Sequence, residues 1–202
     1  MSFKRDNPLI NAYAQRSKGN LGRMVMMVSL SIKQPWHSIG TQMEDLELRE
    51  GECKYLWGNK KATYNWLFVD RLNLSRLYHE AMQNRDDPEL LMHVFLQVPG
   101  MGLAKAGFCC QLFAGSVGCI DTVNVGKFGI KPFTFSKKAK PATQRRKVLE
   151  YIEFCGARRS EALWNLWCRT IATTYPDKFK DYRDVSLKHV EYLIGTDTYA
   201  VD

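Results

Sequence analysis

The sequence predicts an all-α fold, a two-lobed helical bundle, and three kinds of observation carry that prediction. From the middle of the chain onward, apolar residues recur at helical spacing. Residues that cap helices stand just before those stripes, and glycine or proline stands just after them. With 202 residues, 45% of them apolar, the chain has the material for one domain spanning 1–202 or for two small interlocked lobes.

Met24 to Ile32 is the most apolar stretch, but its nine residues fall short of the roughly 20 that a membrane helix needs. It fits a strand or a buried helix, and periodicity does not separate the two. Thr63 to Met82 reads as helix, with Asn73 a candidate break. Asp87 followed by Pro88 suits an N-cap and a first helical position; Leu91, Val94 and Phe95 then mark an apolar face before Pro99-Gly100 stops the run. A second helix spans Leu103 to Ala114, with Gly115 at the position that favours a left-handed residue. Ser160 is placed to cap a helix whose stripe is Leu163, Trp164, Trp167, Cys168 and Ile171. Ser186 is placed to cap another, carrying Leu187, Val190, Tyr192 and Leu193 up to Gly195.

Charge is unevenly spread. The net charge is +8. Leu103 to Leu149 holds Lys105, Lys127, Lys131, Lys137, Lys138, Lys140, Arg145, Arg146 and Lys147 against one acid, Asp121, and so accounts for the whole excess. Such a balance favours a polyanionic partner, nucleic acid ahead of an anionic membrane surface. Met43 to Glu52 is acidic through Glu44, Asp45, Glu47, Glu50 and Glu52, and reads as a solvated face turned away from that partner. The N-terminal residues lack the apolar run of a secretion signal, so an intracellular protein is expected. The six cysteines include only one close pair, Cys109-Cys110, and the four histidines are scattered. No metal or other cofactor is expected.

The informative segment is Leu96 to Phe108, LQVPGMGLAKAGF. A helix, a tight turn with glycines two apart and a second helix opening on a small residue make a helix-hairpin-helix over about 88–114. Gly100, Met101 and Gly102 form the turn. Glycine permits unusual dihedrals there and lets the backbone approach a phosphate. The second helix then offers its unsatisfied amides and the positive end of its dipole, with Ala104 and Lys105 in its first turn. Ala104, Ala106 and Gly107 are small enough to let the two helices pack closely. The plain alternative is a glycine turn between core helices.

After the short link Gly115 to Gly118 comes CIDTVNV, Cys119 to Val125. VPGMGLAKA followed at this spacing by IDTVNV resembles the helix-hairpin-helix DNA glycosylase superfamily, over Glu89 to Lys127. The resemblance implies a DNA-binding, base-flipping enzyme of DNA repair or base modification that hydrolyses the N-glycosidic bond. It also implies that the essential aspartate is Asp121, in a catalytic segment of about 119–127. The chemistry is consistent: bond cleavage passes through an oxocarbenium-like sugar, which a neighbouring carboxylate stabilises. Asp121 equally suits an N-cap for the helix carrying Asn124 and Val125.

Three features depart from the family pattern. Ala104 stands where strand-cleaving members carry a nucleophilic lysine, and Lys105 is next, turned by roughly 100° on the helix. This favours a monofunctional enzyme; Lys105 then reaches a phosphate, approaches the pocket or extends to solvent. Val123 replaces the usual histidine, and the iron-sulfur cysteine ladder of some members is missing. A fainter likeness runs to glycosylase-like proteins of bacterial viruses that act as transferases or pyrophosphorylases on thymine-derived bases. A non-catalytic DNA-binding module is the alternative of another class. The expected partner is double-stranded DNA, contacted through Gly100, Met101, Gly102, Ala104, Lys105, Lys127, Lys131, Lys137, Lys138 and Arg145. Aromatic walls for an extruded base would come from Tyr64, Trp66 and Trp36, with Trp57 a further candidate and Gln42, Asn65 and Asp70 as polar readers.

Overall fold

The computed structural model describes residues 2–49 and 52–195. Among them the chain forms eleven α-helices and no strand. In order these are α1 Ser2–Arg16, α2 Lys18–Leu30, α3 Ile39–Leu48, α4 Asn59–Tyr64, α5 Arg71–Gln83, α6 Pro88–Leu96, α7 Leu103–Ala114, α8 Thr122–Phe128, α9 Pro141–Arg158, α10 Ser160–Thr174 and α11 Tyr182–Ile194. The all-α expectation holds. No described helix is long and apolar enough to cross a membrane. Glu50 of the acidic stretch lies outside the described residues.

The Met24 to Ile32 run resolves as helix through Leu30. Ser17 opens α2, its hydroxyl accepting from the Asn20 amide at 3.2 Å. The helix then buries Leu21, Gly22 and every residue from Met24 to Leu30. A helix apolar on all sides needs neighbours on all sides, and α1, α3, α4, α5, α7 and α11 supply them. The second buried helix is α7, packed on α1, α2 and α6. Side chains of α1 satisfy its last carbonyls: Asn11 donates to Leu112 at 2.6 Å and Gln15 to Phe113 at 2.6 Å. Gly115 follows at φ +67, in the left-handed conformation expected of it.

The α6 boundary also matches. Asp87 accepts from the Glu89 and Leu90 amides at 2.9 and 3.0 Å, and Pro88 fills the first turn, where its missing N–H costs nothing. Three other boundaries differ from the sequence reading. Asp70, not Asn73, breaks the Thr63 to Met82 segment: a π-helical turn over Asn65–Val69 ends there, and Asp70 caps α5 by accepting from the Leu72 amide. Ser186 lies inside α11, where its buried hydroxyl donates to Asp6 at 2.7 Å and accepts from Trp164 Nε1 at 3.0 Å. The cap of that helix is Asp181, whose carboxylate takes the Arg183 and Asp184 amides. Ser160 is the first residue of α10 and not its cap, because its hydroxyl is taken by Gln111 Nε2 at 3.1 Å.

Candidate functional site

A cleft of about 610 Å³ opens between the end of α2 with its following loop, the first turns of α7, the Ile120–Val125 segment, and α10. Its wall carries Ser31, Lys33, Trp36, Ala104, Lys105, Phe108, Asp121 and Trp167. Trp36, Ala104, Lys105 and Asp121, singled out from sequence, therefore meet in one place.

Close backbone approach brings the chain to Asp121. Gly107 faces the backbone of Gly118 so closely that a Cβ would fall 2.4 Å from the Gly118 carbonyl oxygen. Its small size thus serves this contact. The buried Tyr151 of α9 closes the corner, its hydroxyl donating to Gly118 O and accepting from the Ile120 amide, both at 2.8 Å. Burial keeps that phenol protonated, far above its ordinary range. Asn124 adds a bond from its side-chain amide to the Cys119 carbonyl. The segment carrying Asp121 is in this way laid on the helix carrying Lys105.

Asp121 does cap a helix. One oxygen accepts from the Val123 and Asn124 amides at 3.0 and 3.2 Å, opening α8. The other accepts from Trp167 Nε1 at 3.0 Å. The same carboxylate lines the cleft, so capping and exposure to a ligand coexist in one side chain. Lys105 turns into the cleft, where its ammonium donates to Ser31 Oγ at 3.0 Å and lies 5.7 Å from the centre of the Phe108 ring.

Trp36 and Trp167 belong to a cluster of rings. Trp36 lies 5.2 Å from Trp167 and 4.1 Å from His189, centre to centre, with Trp164 and Phe108 completing the cluster. His189 is fully buried, pairs through Nδ1 with the Val185 carbonyl, and is pushed by burial down to about 3. It is a neutral spacer behind the wall. Trp167 was legible only as a member of the α10 stripe; its bond to Asp121 depends on a contact 46 residues away in sequence.

Other expected site residues are elsewhere. Tyr64 lines a separate pocket with Phe68, Met26, Met43 and Leu46, and Trp66 packs against the core away from the cleft. Neither forms part of its wall. Asn65 and Asp70 are exposed, while Gln42 is buried and donates to Ser38 and Gln34. In the Gln97 to Gly102 turn, Gly100 adopts φ +79, Met101 is buried, and a Cβ on Gly102 would meet nothing within 4 Å. The Gly102, Leu103 and Ala104 amides have no acceptor among the described residues. Thr63 Oγ1 and Lys137 Nζ donate to the Pro99 and Val98 carbonyls at 2.7 and 2.8 Å, so Lys137 braces the turn. Arg145 is paired with Glu89 at 2.6 Å. Lys127, Lys131 and Lys138 are exposed.

All six cysteines are buried free thiols. Among the described residues no group of three His, Cys, Asp or Glu side chains is arranged to hold a metal ion. Comparison with protein-family models, curated proteins and solved structures finds no match to this chain.

Proposed function

We propose that the protein is a DNA glycosylase-like enzyme that binds duplex DNA and hydrolyses the N-glycosidic bond of a flipped, damaged or modified base in this cleft. In this reading α6, the turn and α7 act as a helix-hairpin-helix, and the helices on either side of the cleft act as two lobes that receive the extruded nucleotide. The observation that carries it is the placing of Asp121 and Lys105 on one wall with Trp36 and Trp167, next to a helix start at which the Gly102, Leu103 and Ala104 amides have no acceptor among the described residues. Those amides suit a phosphate oxygen; the rings suit the faces of a base.

Asp121 supplies negative charge beside the sugar as the bond to the base breaks. Its three donors fix the carboxylate in place before reaction, which is what electrostatic stabilisation requires. Water adds to the sugar carbon, and the base leaves with the bonding electron pair and takes up a proton. Lys105 is a cation positioned by Ser31, suited to hold the phosphate of the extruded nucleotide. Base release without strand cleavage follows from Ala104 standing in the nucleophile's place.

A second reading, transfer chemistry on a substituent of a thymine-derived base, is favoured by one feature: Lys33 and Lys105 line the cleft against a single carboxylate. Two cations suit an anionic leaving group on the base. One experiment tests both. Duplexes carrying a panel of modified bases are incubated with the protein, and free bases and digested nucleosides are weighed by mass spectrometry. Released base supports the glycosylase; a nucleoside of altered mass with its glycosidic bond intact supports the transferase. No change in either would leave a DNA-binding module without catalysis.

A further inference from the structure

Beside the turn, a short loop presents a large aromatic ring to solvent. Cys53 and Leu56 are buried and pin the loop that leads into α4, and Trp57 follows them with 52% of its surface exposed. Gly58 then takes φ +51 and ψ −126, a backbone conformation that only glycine adopts without strain. The loop is tied at both ends, with the Leu56 amide bonded to Cys53 O and the Lys60 amide to Trp57 O. Trp57 is therefore held outward by its neighbours.

Beneath the ring lies an unusual lysine. Lys60 is only 2% exposed, and its ammonium has no hydrogen-bond partner among the described residues. It sits 5.0 Å from the centre of the Trp57 ring. A buried ammonium without an acceptor is costly, and the electron-rich ring face offsets part of that cost. Burial first, and the charge of Lys105 second, push the Lys60 amine below its usual range.

The location points to a ligand. Asn59, between ring and lysine, packs on the turn: a Cβ on Gly100 would lie 2.8 Å from Asn59 Cβ. Cys53 to Val69 carries Lys54, Lys60 and Lys61 and no acid. Lys54, Gly58, Asn59 and Lys61, close to Trp57 in sequence, are exposed. A polyanion that carries flat rings matches both these lysines and the aromatic face.

We propose that Trp57, backed by Lys60, is a stacking platform for an unpaired nucleobase of the strand whose phosphate lies on the Gly100–Gly102 turn. This rests on the DNA-binding reading above. It adds a second base contact, outside the cleft and indifferent to sequence, since every base has a π-face. A paired base inside a duplex cannot use it; one beside a gap or bulge can.

The test is anisotropy binding of two DNAs, a continuous duplex and the same duplex with a single-nucleotide bulge carrying 2-aminopurine, to the parent, Trp57→Ala and Trp57→Phe. The parent is expected to favour the bulged DNA and to quench the 2-aminopurine. Trp57→Ala should lose about tenfold in affinity for the bulged DNA while binding the continuous duplex as the parent does, and Trp57→Phe should retain most of the preference. Equal affinity of parent and Trp57→Ala for the bulged DNA, or equal losses on both DNAs, overturns the platform while leaving duplex binding in place. A parent that binds neither DNA overturns the DNA-binding reading itself, and the platform with it.

Discussion

Asp121 caps α8 and faces the cleft, and one substitution separates these duties. In Asp121→Asn the amide oxygen can still accept the Val123 and Asn124 amides, but the new NH₂ then meets the Trp167 N–H, so one donor loses its acceptor. The expected stability loss is about 1–3 kcal/mol. The expected fall in base release is about 10²–10⁴-fold, as for other positioned acids and bases. Folding is checked by thermal melting and turnover by released base; unchanged turnover removes Asp121 from the chemistry. For Lys105, borohydride trapping is expected to give no protein–DNA adduct, and an adduct that vanishes in Lys105→Ala would make that amine the nucleophile. His189 gives a pH prediction. Its folded-state value, about 3, is below the ordinary 6.5, so above 6.5 both states are neutral and stability is unaffected. As pH falls through that window the unfolded chain takes up a proton that the native imidazole refuses, costing up to about 1.4 kcal/mol per pH unit. Chemical denaturation at pH 7 and pH 4.5 should show a smaller acid loss in His189→Gln than in the parent.

Between elements, the contact that sets the segment carrying Asp121 is Gly107 against Gly118, closed by Tyr151. Gly107→Ala puts a methyl into backbone, which flexible side chains cannot relieve, and should cost about 1–3 kcal/mol. Tyr151→Phe leaves the Gly118 carbonyl and the Ile120 amide without their partner. It should lower the melting temperature and also lower turnover, because the chain entering Asp121 loosens; turnover unchanged in a folded Tyr151→Phe would show that this corner does not position the carboxylate. These contacts also mark where sequence reading succeeds and where it stops. Asp87-Pro88, Gly115 and the α7 limits were legible because local chemistry decides them: a cap, a ring-locked φ, a left-handed residue. Asp121 was legible as a cap for the same reason. Ser160 and Ser186 look like caps, but Gln111 and Asp6 claim their hydroxyls from far along the chain. Tyr64 and Trp66 could not be separated from Trp36 by composition, since tertiary packing decides which rings face the cleft. Trp167 carried no local sign of its bond to Asp121.

Over the whole molecule, the basic stretch divides into spent and unspent charge. Lys137 braces the turn and Arg145 is paired with Glu89, whereas Lys127, Lys131, Lys138 and Lys140 are exposed. If those four meet DNA phosphates, log affinity should fall against log salt with a slope of about −0.9 per phosphate contacted. Replacing Lys131, Lys138 and Lys140 by Gln should flatten the slope and weaken all duplexes alike; an anisotropy salt series matching the parent's would remove them from the interface. Arg145→Gln should change the slope less than any of these. The chain's first and last helices also touch. Asp6 of α1 receives its bond from Ser186 of α11, 180 residues later. A ribosome adding about 5–20 residues per second takes roughly 10–40 s to cover that distance. Until the end of that interval the nascent chain holds out the part of α2 that α11 covers, together with a carboxylate awaiting its hydroxyl. A holding chaperone would find its client in this wait, and a synonymous codon change that slows synthesis late in the message would lengthen the exposure without altering one residue of the finished protein.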